Sequence, residues 1–127
     1  MAAALSGAFG GSFQVIYPED LTPCEQVAAF AHARVVVGQH GAALSNGAYM
    51  RDGAALIELH AVLHGVFGHL AESVGVVHVA ATEAEHAELY VGDGRMFVEL
   101  RAPELVELVA QTLARVDATW RVLPDAS

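Results

Sequence analysis

The sequence predicts an α/β fold of three layers, with a mostly parallel sheet of about four strands and helices on its faces. Two observations predict it. Short runs of β-branched and aliphatic residues alternate along the chain with stretches whose apolar residues recur at helical spacing. Turn and cap residues separate them, and such alternation implies parallel strands joined by right-handed crossovers.

The elements follow in order. Residues 1–12 are rich in Ala, Gly and Ser and read as a flexible N-terminal segment. Residues 12–17 alternate and stop at Pro18, which predicts a strand. Thr22, Pro23 and Glu25 form the pattern of a capping box, with proline in the first helical position. Val27, Ala28, Phe30 and Ala31 supply that helix's apolar face. Val35, Val36 and Val37 predict a buried strand. Gly38 to Gly41 then turn the chain into a helix running to about Met50. Residues 54–59 predict a strand carrying Glu58 near its carboxyl end. Val62, Leu63, Val66, Phe67, Leu70 and Val74 recur at helical spacing, and Gly75 suits the end of that helix. Residues 76–79 predict a fourth strand. Residues 89–91 and 96–98 flank a Gly-Asp-Gly-Arg turn that fits either a hairpin or a loop into the last helix. Pro103 opens that helix, and Leu105, Leu108, Val109, Leu113 and Val116 form its stripe. The expected organisation is a flexible segment 1–12, one α/β unit 13–118 and a tail 119–127.

Composition narrows the functions. At 127 residues the chain holds one modest domain. Its formal charge is −9 and all six cationic residues are arginine, which argues against nucleic acid and anionic membranes as partners. No apolar run reaches the length of about 20 residues that spans a bilayer. The first residues lack the basic and apolar regions of a secretory signal. A lone cysteine, Cys24, allows no internal disulfide, and a small buried residue is the expected reading.

Candidate chemistry gathers at two places. The turn after Val37 offers free amides at the start of the helix from Gly41, where a helix dipole favours an anion. Glu58 is expected at the carboxyl end of the next strand, where a carboxylate can accept bonds from vicinal sugar hydroxyls. His40, between the two, could donate to a phosphate oxygen. The structural alternative is a tight turn whose glycines serve packing, with Ser45 and Asn46 capping local backbone. His60 and His64 suggest a metal only if Glu58 joins them, which requires strand, turn and helix to meet at one point.

The run Val36-Val37-Gly38-Gln39-His40-Gly41-Ala42-Ala43-Leu44-Ser45-Asn46, followed by Ile57-Glu58-Leu59, resembles the signature of the glycosyltransferase 61 family. In that family a strand leads into a G-x-H-G-A-x-L-[ST]-N turn and an I-E-L strand follows. Leu21-Thr22-Pro23-Cys24-Glu25-Gln26 resembles the family's L-[ST]-x-x-E-Q helix start. The resemblance covers residues 13–79 well and the last third loosely. It implies one Rossmann-like half of a GT-B glycosyltransferase. That half would bind a nucleotide-sugar, with a UDP-sugar as the expected donor, through Gly38, His40, Gly41, Ala42, Ser45, Asn46 and Glu58. Transfer to an acceptor hydroxyl, on a glycan or glycoprotein, would be inverting, with no metal or other cofactor. The resemblance places the acceptor-side machinery and an arginine of an R-x-x-x-N-type stretch upstream, in an N-terminal domain or a partner chain. It leaves the catalytic residues of this segment unassigned. It implies a Golgi or endoplasmic-reticulum lumen for a eukaryotic member and the cytoplasm for a bacterial one. Two alternatives stand beside it: a non-catalytic α/β interaction module that keeps only the scaffold, and a small metal hydrolase.

Overall fold

The computed structural model describes residues 2–61, 65–82, 89–91 and 99–120. Helix α1 spans Ala2–Phe9, α2 spans Pro23–His32, α3 spans Val66–Ser73 and α4 spans Ala102–Trp120. Strands β1 (Val35–Gln39), β2 (Ala55–Leu59) and β3 (Val77–Ala81) form a parallel sheet in the order β1-β2-β3. A two-residue antiparallel pair, β4 (Tyr90–Val91) with β5 (Glu99–Leu100), lies apart from that sheet. A 3-10 helix, Ala42–Tyr49, joins β1 to β2.

Alternation along the strands sorts side chains onto two faces. Ile57, Leu59, Val35, Val37, Val79 and Ala81 pack with Leu5, Leu105 and Val109, so α1 and α4 cover one face. Leu56 and Val36 pack with Phe30, Leu44, Met50, Ala71 and Phe67, so α2, the 3-10 helix and α3 cover the other. The central strand β2 is buried along its whole length, as a parallel strand between two helical layers must be.

The mixed α/β class and the parallel pairing agree with the sequence reading. The strand count does not: among the described residues the parallel sheet has three strands, where about four are expected. The difference lies at residues 13–17, which join no sheet. Phe13 packs in the α1/α4 layer and Ile16 in the α2/α3 layer, while Val15 and Tyr17 are exposed. Their alternation therefore records a chain passing from one face of the sheet to the other, not a strand.

Three further expectations change. Residues 2–9, read as loose, form α1, and Leu5 is only 3% exposed against α4. Val66 is 76% exposed, although its spacing suggests an inward position. Cys24 is exposed on the first turn of α2. The early part of the helix expected over 62–74 includes residues outside the described set. So do residues 92–98, which hold the expected hairpin turn and its second run, and residues 121–127 of the expected tail.

The helix boundaries follow local chemistry. The Thr22 hydroxyl accepts from the Glu25 amide at 3.2 Å, and the Glu25 carboxylate accepts from the Thr22 amide at 2.9 Å. Gly75 has φ +79°, and a Cβ there would fall 2.1 Å from Asp52 Oδ1, so only glycine fits after α3.

Candidate functional site around His40 and Glu58

Parallel strands put their carboxyl ends on one edge, and in open α/β sheets that edge takes the ligands. Here the edge carries His40, just past β1, and His60, just past β2. The His40 amide donates to the Leu59 carbonyl at 2.9 Å, which fastens the turn to the end of β2.

Glu58 lies in register with Gly38 and points into the α2/α3 layer, on the face of Leu56 and Val36. Its side chain is 3% exposed. A carboxylate cut off from water needs donors. Two imidazoles supply them: His40 Nδ1 lies 2.5 Å from Glu58 Oε2, and His78 Nε2 lies 2.8 Å from Glu58 Oε1. The His78 side chain is fully buried, whereas that of His40 is 60% exposed. An ionised carboxylate only accepts, so with Glu58 in that form the facing nitrogens carry the protons, Nδ1–H on His40 and Nε2–H on His78. When His40 is neutral, its Nε2 is then the acceptor; when it is charged, Nε2–H is a donor. Phe67 of α3 meets the His40 ring edge-on, with centroids 5.4 Å apart, and limits its tilt.

The turn itself differs from the sequence reading in two respects. The helix after it is of the 3-10 type, and its buried residues Leu44, Gly47 and Met50 recur every three positions. That spacing matches three residues per turn, and it is visible in the sequence once sought. Gly41 is extended, with φ 172° and ψ 164°, so its backbone makes no demand for glycine. Gly38 does: a Cβ there would fall 2.7 Å from Leu44 Cδ2. The close approach read from the glycine is real, but a leucine makes it.

The first 3-10 hydrogen bond runs from the Leu44 amide to the Gly41 carbonyl. The amides of Ala42 and Ala43 precede it, so no bond of the helix itself uses them. Both residues are exposed, as is Ser45. Asn46 has a scaffolding place. Its Nδ2 donates to Gln26 Oε1 at 3.0 Å and to the Ala43 carbonyl at 3.2 Å, while Gln26 Nε2 donates to the Pro18 carbonyl at 2.8 Å. Asn46 and Gln26 thus tie the turn to the start of α2.

The structure brings Gly38, His40 and Glu58 together, and Gly41 and Ala42 adjoin them along the chain. It sets Glu58 as a buried anchor for His40, not as an open acceptor for sugar hydroxyls. His78 and Phe67 are site residues that sequence reasoning missed. The only signal for His78 was one ring-bearing residue amid valines, which says nothing of its partner. Among the described residues no three His, Cys, Asp or Glu side chains gather in a way that could hold a metal ion.

Residues 1–57 match the family model of glycosyltransferase 61. The match supports assigning the chain to the glycosyltransferase 61 family. It ends one residue before Glu58 and contains the whole turn with His40. A glycosyltransferase function, with sugar donor and acceptor substrates, is what that assignment supports. No curated protein and no solved structure matches the chain. No described helix is long and apolar enough to cross a membrane.

Proposed function

We propose that this chain is the donor-binding part of a glycosyltransferase 61 enzyme and that its ligand is a nucleotide-sugar, with UDP as the expected nucleotide. The observation that carries this reading is the exposed His40 ring. A buried carboxylate holds it at the carboxyl-end edge of the sheet, and Ala42 and Ala43 follow it by two and three residues along the chain. With Nδ1–H directed to Glu58, a protonated His40 presents Nε2–H outward and donates it to a diphosphate oxygen. The Ala42 and Ala43 amides add uncharged donors to the same anion. Together they stabilise the charge that develops on the leaving diphosphate while an acceptor hydroxyl displaces it in line. Such transfer inverts the sugar and uses no metal. The base that takes the acceptor's proton belongs to a further domain or a partner chain, and Gly38 keeps the turn close enough to Leu44 for His40 to reach the edge.

Calorimetric titration with UDP tests the reading. Wild-type protein binds, and His40→Ala weakens binding by about tenfold, the loss of one charge-assisted hydrogen bond. A folded sample giving no heat at millimolar UDP would sink it. The exposed Tyr17, Tyr49 and Val66 would then favour a scaffold-only interaction module, for which a stable dimer in light scattering is the sign.

A further inference from the structure

We propose that His78 is a positioning residue for His40, acting through Glu58 and never touching the ligand. Three side chains from three neighbouring elements form one line: His78 on β3, Glu58 on β2 and His40 past β1. The two buried members hold the exposed one. His78 Nε2 sits 2.8 Å from Glu58 Oε1 and has no side-chain exposure, so its ring has one placement in the packed layer. Its N–H occupies one carboxylate oxygen and fixes the plane of the carboxyl group. The second oxygen is thereby aimed at His40 Nδ1. This sets which nitrogen of His40 carries the proton when the ring is neutral, and so which nitrogen faces the ligand. A Glu58 held from one side only would be free to rotate, and the Nδ1–H form of His40 would lose its advantage.

The arrangement also explains how a carboxylate survives near the end of a fully buried strand. Two imidazole rings each give it one N–H. His78 lies 21 residues beyond the end of the family match, in the part of the chain that the match leaves unassigned. The part of this proposal that concerns affinity rests on the donor-site reading; the part that concerns the proton on His40 does not.

Long-range proton–nitrogen correlation spectra of the wild-type chain, in mildly alkaline buffer, read the tautomers directly. His78 is expected as the Nε2–H form and His40 as the Nδ1–H form. Either ring in the opposite form overturns the proposal. His78→Phe keeps the ring volume and removes the donor, so neutral His40 becomes a mixture of tautomers, and charged His40, no longer aimed by a fixed Glu58, binds UDP with a Kd about tenfold higher. His78→Gln, whose amide can donate from a similar position, restores both. If His78→Phe folds and leaves the His40 spectrum unchanged, or if His78→Gln behaves as His78→Phe does, the positioning role is wrong. If His78→Phe does not fold, the wild-type tautomers and His78→Gln decide. If the tautomers and their dependence on residue 78 are as expected but UDP produces no heat, the positioning role stands and the donor-site reading falls.

Discussion

His40 and His60 occupy equivalent places, each one residue past a parallel strand, yet their backbones differ. His60 has φ +55°, the one non-glycine among the described residues in the left-handed region. For most residues that conformation costs about 1–2 kcal/mol, and a β-branched side chain tolerates it worst. Such outliers persist where surrounding structure over-determines them, and they cluster at functional edges. His60→Val should therefore destabilise the protein by about 1–2 kcal/mol in urea unfolding, while His60→Asn stays close to wild type. Equal stability of the Val and Asn variants would show that the backbone relaxes there at no cost. At this scale the sequence marked His40 and Glu58 by residue type and neighbours. It could not show that Glu58 faces inward, because that depends on which neighbouring strands supply its donors.

Helix α2 shows how far local chemistry reaches. Its start is legible from Thr22, Pro23 and Glu25, and the structure shows both reciprocal hydrogen bonds. The Glu25 carboxyl is held below its ordinary range, first by the bond from the Thr22 amide and then by that with its hydroxyl. A depressed folded value contributes stability above the unfolded value. That contribution fades as the pH drops below the ordinary glutamate range, and it is gone once the pH is below the lowered folded value. Thermal unfolding of Glu25→Ala should accordingly fall short of wild type at neutral pH, and the gap should narrow at acid pH. A gap that widens on acidification would contradict the cap. The helix after β1 is the opposite case. Glycine, serine and asparagine at positions 45–47 weaken an α-helix, and tertiary contact selects the tighter 3-10 form. At Gly47 a Cβ would sit 3.2 Å from Leu56 Cδ2. The periodicity of three at Leu44, Gly47 and Met50 was present in the letters, but only packing against Leu56 makes it the winning period.

Across the whole molecule, the two faces of the sheet are closed by different means. The face bearing Glu58 is covered by segments that lie between or just before its strands. The opposite face is covered by the two ends of the described chain, with α1 packed on α4. Leu5 joins a core with Ile57, Leu59 and Leu105, so the first helix is part of the fold's closure. Leu5→Ala should cost about 2–5 kcal/mol in denaturant unfolding, the usual range for emptying a buried leucine site. A cost below about 0.5 kcal/mol, typical of surface positions, would mean that α1 is dispensable. The ion pair between Arg34, entering β1, and Asp117 of α4 spans the same layer, but both side chains are about one-third or more exposed. It contributes little beside the burial of Leu5.

The sequence by itself determined the alternation of strand and helix, the parallel sheet, the capping box and the turn that carries His40. Each follows from residue type and near-neighbour spacing, through forces that act within a few positions along the chain. The tertiary structure decided the rest. It showed that residues 13–17 cross between layers, that Ala2–Phe9 close the core, and that Glu58 is shared by His40 and His78, residues 18 and 20 positions away on opposite strands. Those outcomes depend on which distant groups meet in three dimensions, and hydrogen-bond partners across a parallel sheet leave no fixed spacing in the chain.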